Sequence, residues 1–465
     1  MGSTSLRAEL WRERLADWWA GLWRWVLLAG AAAAAAYIVL NQGLENATVT
    51  AFALAGLVIG AVLTPSVPLA IALMSMPALF IVQRVGLGAG DLSVSDFALA
   101  AAFGCAVLLG KRPYSRSLRA LLWFNLFYQF TTLFTVIVNP YAANTFEWVH
   151  AWLLVSGALI VGWALGAAGY ARLALSLLVV TACAIALLTV IQGGLQYVTG
   201  NFSPVYITWP FGMHKNFIGT ALAFAAVVVY VNPDWVGWNR TLARWTLALL
   251  VVAILMTQSR QALVGLILAV VVVVIRRKVT GRSRLVLLLL IPAAWLIATM
   301  IADQVASQNE FNSVFQRLNW FREVFHYWRE SPIFGHGLRY WYNDATVPFQ
   351  PPQAEMEVLA SAGIIGLIGF IVMWIGVLVV LWRVDPRYGT IAVAVVLSRI
   401  VQGQFDLFWI AAQVSIPFVI AGICLGALDR EEQSMTGEPD AAASRRPGAS
   451  VRPPSRAATS WKATR

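Results

Sequence analysis

The stretch Thr246–Ile275 reads TLALLVVAIL, MTQSRQ, ALVGLILAVVVVVI: two long apolar runs joined by a short polar turn that carries Arg260. With its flanks, each run is long enough to cross roughly 30 Å of hydrocarbon as a helix, and a helix satisfies its own backbone where lipid cannot. The pair reads as a transmembrane helical hairpin. Comparable runs recur from Val26 almost to Leu428. Hydrophobic residues make up 59% of the chain and charged residues 12%, against about 25% charge in an ordinary soluble domain. The mean hydropathy is +0.71. The expected fold class is all-α: a polytopic helical membrane protein of about 12–14 transmembrane helices, with one long outer loop containing short amphipathic helices.

Spans are expected near 26–40, 48–63, 66–83, 96–110, 119–138, 149–169, 172–193, 216–232, 241–257, 261–276, 284–303, 355–382, 389–403 and 407–428. They form one transmembrane domain over residues 26–428. Ahead of it, residues 1–25 place Trp11, Leu15, Trp18 and Leu22 on one helical face and Arg12, Glu13, Arg14 and Asp17 elsewhere, the pattern of a cytoplasmic interfacial helix. This segment is too charged for a signal peptide, and no small-residue cleavage site follows it. Behind the domain, residues 429–465 are rich in Pro, Ser, Ala and Arg without apolar periodicity, which predicts a disordered cytoplasmic tail. The three cysteines, Cys105, Cys183 and Cys424, sit inside apolar runs without metal-ligand spacing and read as packing residues.

Orientation follows the basic loops. The clusters RRKVTGRSR (Arg276 to Arg284) and KRPYSRSLR (Lys111 to Arg119), with the N-terminal arginines, fall on one side of an alternating topology, and that side is expected to be cytoplasmic. Both termini share it. Arg84, Lys215, Arg260, Arg317, Arg322, Arg329, Arg339 and Arg399 fall on the other side or at its edge. All but Arg84 lie in the segments 194–215, 257–261, 304–354 and 399–406. Pairing with acids such as Glu310, Glu323, Glu330 and Asp344, or with lipid phosphate, is one reason for positive charge there, and a bound anionic substrate is another. A simple ion pair is expected between Arg399 and Asp406.

The outer loop, residues 304–354, is more than a linker. Phe315, Leu318, Phe321, Val324, Phe325 and Trp328 recur at intervals of three and four, predicting an amphipathic helix from about Asn312 to Arg329. SPIFGHG then breaks it, and PFQPPQ leads stiffly into the next span.

A TQSR turn opening a helix, Arg317 and Trp320 in an R..W helix, the SPIFGHG segment and a helix at LASAGIIGLIGF together resemble the O-antigen ligase and polymerase family. The likeness runs from about Pro210 to Phe370. It implies a bacterial cytoplasmic-membrane glycosyltransferase with its active site on the outer face. Such an enzyme takes its glycan from a polyprenyl diphosphate, undecaprenyl or decaprenyl, and gives it to a glycan or lipid acceptor in cell-envelope polysaccharide synthesis. The family pattern also has a His-Asn pair ahead of the GIIGL stretch, where this chain has Pro352 and Gln353. A branch acting on a surface glycan other than that of the true lipopolysaccharide ligases is therefore expected.

A diphosphate leaving group departs more easily when its charge is neutralised, and arginine binds phosphate oxygens bidentately. Arg260 is the first candidate for that role, with a snorkelling or helix-capping arginine as the alternative. By the resemblance, Arg317 binds the diphosphate or lipid linker, and Arg322, Arg339 and Gln353 are further candidates for substrate binding. His336, between two glycines, is the best-placed imidazole for activating an acceptor hydroxyl. Glu355 and Glu357 are alternatives, and their spacing of two allows at most one to point into a site. In WPFGMHKNFIG, His214, Lys215 and Asn216 are candidates for contact with donor or acceptor, or mark the interfacial start of a helix.

The sequence has no Asp-x-Asp pair suited to a metal–nucleotide donor, no P-loop and no zinc-type cluster, so neither a cofactor nor a metal is expected. The formal charge of +11 does not imply nucleic acid, because most of it lies on the cytoplasmic membrane face and tail. Two readings compete with the enzyme: a transporter or flippase for a lipid-linked sugar, and a non-catalytic cell-envelope assembly partner.

Overall fold

A computed structural model describes residues 67–87, 90–109, 113–209, 211–277, 313–343 and 350–436. The expected helix at 1–25, the spans near 26–40, 48–63 and 284–303, and the tail beyond residue 436 lie outside them. The described chain is helical apart from one short hairpin. In order it forms α1 (Val67–Ala78), β1 (Arg84–Leu87), β2 (Gly90–Ser93), α2 (Val94–Leu109) and α3 (Arg116–Val138). α4 (Ala142–Ala167, with one wider π turn at Leu153–Gly157), α5 (Ala171–Val198), α6 (Lys215–Val231), α7 (Arg240–Thr257) and α8 (Arg260–Arg276) follow. The region between α8 and the last three helices supplies α9 (Ser313–Glu330) and the single turn α10 (Tyr340–Asn343). α11 (Ala354–Arg383), α12 (Pro386–Gln402) and α13 (Ala411–Thr436) complete the fold. Six of these helices are long and apolar enough to cross a membrane, and the fold class is that of an all-α polytopic membrane protein.

Short polar residues begin several helices by accepting amide hydrogens that have no partner inside the helix. Ser115 Oγ accepts from Leu118 N at 3.3 Å, Asn239 Oδ1 from Thr241 N at 2.8 Å, and Asp385 Oδ1 from Arg387 N at 2.7 Å, with Pro386 at the first helical position. The helix boundaries match the expected spans within a few residues at most places. α4 is the exception, because it begins at Ala142 rather than near 149 and so draws the polar stretch NTFEWVH into the helix. α13 starts later than expected and runs on through Asp429 to Thr436, where a disordered tail was expected.

α4 and α13 approach backbone to backbone. Gly162 and Gly166 on α4 face Gly422 and Gly426 on α13, each pair in a G-x-x-x-G spacing. A Cβ on Gly162 would lie 2.1 Å from Val419 O, and one on Gly422 2.3 Å from Leu159 O. In lipid, where tails are as apolar as leucine, this close fit and its dispersion contacts drive helix association.

α11 carries a break. Gly363 has φ +65° and ψ −168°, a conformation open essentially to glycine alone, and the helix interrupts its own hydrogen-bond ladder there. The SPIFGHG loop fills the gap. Gly335, at φ +67°, brings the loop against the Ser361 backbone. Ile364 N donates to Pro332 O at 2.9 Å and Ile365 N to Ile333 O at 3.3 Å, while His336 N donates to Ala360 O at 3.2 Å and Gly337 N to Ser361 O at 2.9 Å. The two segments that stand out in the sequence are thus complementary halves of one backbone seam.

Candidate functional site

The polar segments singled out by charge meet at one end of the helical bundle. Val205 N bonds Met256 O at 3.2 Å, and Gln258 Nε2 bonds Phe202 O at 2.8 Å, so the 194–215 segment lies on the Arg260 turn. Gln261 Nε2 donates to Asp406 Oδ2 at 2.6 Å, which joins that turn to the 403–410 segment. Asn139 Nδ2 and the Asn144 side chain bond Gly335 O and Leu338 N at 3.1 and 2.7 Å, which brings in the SPIFGHG loop.

Between these segments lies a cavity of about 520 Å³. One wall is a chain of charges. Asp96, in the first turn of α2, accepts from Ser93 N and Ser93 Oγ at 2.8 and 2.7 Å. Its other oxygen meets His150 Nε2 at 2.9 Å, and His150 Nδ1 lies 3.3 Å from Glu147 Oε1, one helical turn back on α4. Glu147 Oε2 continues the chain to Arg339 Nη1 at 3.5 Å, and the Arg339 guanidinium lies over the Tyr342 ring at 4.7 Å. Buried charges that are paired in this way stay ionised without the full cost of leaving water.

Aromatic rings and one further acid form another part of the lining. Trp409 stacks on Tyr128, with ring centroids 5.6 Å apart, and Trp320 and Phe217 also face the space. Glu357 on α11 is buried, 4% exposed, and accepts from Phe408 N at 3.4 Å. Near it, Arg399 is fully buried, its Nη1 donating to Gln413 Oε1 at 2.7 Å and its Nη2 to Leu407 O at 2.8 Å and to Phe408 O, with its guanidinium over the Phe408 ring. The expected Arg399–Asp406 ion pair is therefore replaced by neutral acceptors, and Asp406 takes Gln261 instead.

Among the sequence candidates, His214, Asn216 and Arg339 line the cavity, as does Pro352. His214 caps α6, its Nδ1 accepting from Asn216 N at 3.2 Å, so the proton of the neutral ring sits on Nε2. Partial burial lowers its pKa, Asp406 opposes that shift and Lys215 adds to it. Arg260 and Lys215 stand at the first positions of the neighbouring helices α8 and α6 and feel each other's charge. The contact is tight: a Cβ on Gly219 of α6 would lie 2.7 Å from Ser259 Cβ. Neither is among the cavity-lining residues, but His214 precedes Lys215 and the Gln261–Asp406 bond follows Arg260, so the pair adjoins that edge of the cavity.

The remaining candidates lie elsewhere. His336 Nε2 donates to Tyr327 O at 2.8 Å and its ring stacks on Tyr340 at 4.6 Å, away from the lining. Gln353 caps α11 through Met356 N at 2.7 Å and donates to Glu355, while Gln404 Nε2 bonds the other Glu355 oxygen at 2.8 Å. Glu357 thus enters the cavity and Glu355 does not. Arg322 is exposed on α9, and the Arg317 side chain lies outside the described residues. Among the described residues no group of His, Cys, Asp and Glu is placed to hold a metal ion.

A charged, partly aromatic cavity at one end of a polytopic helical membrane protein is the class that fold and site define. Residues 245–371 match the model of the O-antigen ligase family, and over that segment the chain is O-antigen ligase-like. The match begins at the Arg260 hairpin and ends in α11, so it contains the turn, the seam, Arg339 and Glu357. The likeness read in Trp209–Gly219 lies ahead of it. No curated protein matches the chain.

Asp96, Glu147 and His150 are not among the candidates that the sequence offers. Two signals were available. Ser93 followed by Asp96 is a helix-start pattern, and Glu147 with His150 at i,i+3 borders an otherwise apolar span.

Proposed function

We propose that this protein is a membrane glycosyltransferase of the O-antigen ligase or polymerase type. It moves a glycan from a polyprenyl diphosphate to a glycan or lipid acceptor on the outer face of the bacterial cytoplasmic membrane. The observation that carries this reading is the meeting of the family-matched Arg260 turn with the edge of a glycan-sized cavity.

In this reading Arg260 and Lys215 bind the diphosphate. Both sit at helix N-termini, where unpaired amides and the helix dipole add to their positive charge. Arg317 contributes from α9, and Arg322 meets lipid or linker phosphate at the surface. His214, Arg339 and the tryptophans hold the sugars. Attack of an acceptor hydroxyl at the anomeric carbon expels the diphosphate and inverts the configuration there. His336, Gln353 and Glu355, engaged in hydrogen bonds off the cavity, act as positioning residues.

The test uses purified protein in lipid vesicles with a radiolabelled polyprenyl-diphosphate oligosaccharide and an added extract of envelope glycans and lipids as acceptor, comparing wild type with Arg260→Ala. Charged hydrogen bonds contribute about 1.5–3 kcal/mol each, so the variant is expected to lose roughly ten- to a hundredfold in transfer at an unchanged melting temperature. Label that crosses the bilayer while still on its lipid would make the protein a transporter. Label that neither moves nor transfers would favour an assembly role.

A further inference from the structure

The reaction needs a group to receive the acceptor's proton, and the cavity contents narrow the choice. The chain has four histidines. His150 has each ring nitrogen against a carboxylate, at 2.9 and 3.3 Å, and so has no free lone pair. The Nδ1 of His214 is taken by Asn216 N, and its Nε2 bears the proton. His336 is bonded and stacked off the cavity, and His326 is an exposed residue beside Glu330. No histidine therefore offers the cavity a free ring nitrogen: His150 and His214 by their hydrogen bonds, His326 and His336 by their place off its lining.

Four carboxylates remain in the lining: Asp96, Glu147, Asp406 and Glu357. Asp96 and Glu147 are committed to His150 and Arg339. Asp406 is held by Gln261 and adjoins the basic pair at the proposed diphosphate end. Glu357 differs from all three. It is buried and, among the described residues, forms no ion pair.

Its neighbours are both donors. Phe408 N points at Oε2. Gln350 accepts the Tyr342 hydroxyl through its own Oε1, which leaves the Gln350 amide group to donate to Glu357. A carboxylate has about four acceptor directions, so lone pairs remain for a substrate hydroxyl. The charged or titratable groups facing it are Glu147 from α4, Tyr128 from α3, Tyr342 from α10 and Arg399 from α12. An unpaired acid inside a membrane helix is costly and persists where a site requires it.

Resting on the transferase reading, we propose that Glu357 is the catalytic base, and that the cavity beside it receives the acceptor sugar. The acceptor oxygen forms the new bond to the anomeric carbon as its proton passes to the Glu357 carboxylate. The old bond breaks, and its electron pair leaves with the polyprenyl diphosphate. The proton returns to water when product departs.

The experiment follows label transfer from a radiolabelled polyprenyl-diphosphate oligosaccharide, to a second copy of itself or to an added extract of envelope glycans and lipids, across a range of pH. Wild type is compared with Glu357→Gln, Glu357→Asp and Asp406→Asn. Glu357→Gln is expected to lower kcat by a factor of about 10²–10⁴, with the donor KM within about threefold. Glu357→Asp should retain transfer but move the acid limb of the pH–rate profile, and Asp406→Asn should leave that limb in place. Transfer by Glu357→Gln above a tenth of wild type with an unchanged profile overturns the assignment. So does loss of the acid limb in Asp406→Asn. If Glu357→Gln does not accumulate as folded protein, an unmoved limb in Glu357→Asp overturns it equally. Absence of transfer by wild type defeats the transferase reading itself, a result distinct from an active wild type whose activity is indifferent to Glu357.

Discussion

At the α11 seam, backbone answers backbone: the SPIFGHG loop supplies carbonyls and amides to a helix that has broken its own ladder. At the cavity wall, side chain answers side chain: Asp96, His150, Glu147 and Arg339 pair across α2, α4 and the segment just before α10. Both regions bury polar groups, but they tolerate change differently. The seam is limited by space, because a Cβ on Gly363 would stand 2.3 Å from Ile333 O. The wall is limited by charge and hydrogen-bond count, and its side chains can be exchanged at nearly constant volume. A change at the seam should therefore appear as lost protein, and a change at the wall as lost activity.

Gly363→Ala tests the first half of that contrast and should have the largest effect. It combines a strained φ/ψ with overlap against a backbone that is itself pinned, for about 2–4 kcal/mol of destabilisation. Melting in detergent would show it, and a Tm within one or two degrees of wild type would remove the seam from the account of stability. Arg339→Lys is the matching test at the wall. It keeps the charge beside Glu147 but loses the planar fork and the stacking on Tyr342. Transfer should fall about tenfold with melting unchanged, and a large drop in Tm would make the wall structural.

The smallest effect concerns His214. Because its pKa is lowered in the fold, the unfolded chain binds more protons between the two values. The stability gained from the neutral cap is complete above the ordinary imidazole value and is lost as pH falls through the depressed one. Melting curves taken from about pH 7 down to about pH 5 should show a small decline that His214→Asn abolishes. An unchanged decline in the variant would place the sensitivity elsewhere.

The sequence makes the spans legible because lipid imposes one requirement, a long apolar run, and α3, α5, α7 and α11 obey it within a few residues of the expected bounds. It also marks the cavity end, since basic residues at the ends of apolar spans need partners, and the segments carrying them converge. What it conceals is pairing at a distance. Asp96 and Glu147 stand at the edges of apolar runs, and only the approach of α2 to α4 makes them a cluster with His150. Periodicity alone leaves the choice between Glu355 and Glu357 open. Gln404 and Gln353 settle it by engaging Glu355 outside the cavity. The G-x-x-x-G spacings of α4 and α13 were readable, but neither reveals its partner until the two helices face each other.

That glycine contact also fixes what can move. α4 carries Glu147 and His150, and its far half is keyed into α13 so closely that Gly166 has Ile423 O 2.5 Å from where a Cβ would be. Surfaces meshed at that distance neither slide by a turn nor tilt without first separating. α4 is in this sense the anvil of the cavity, and any adjustment to the size of a glycan falls to the elements that close on it.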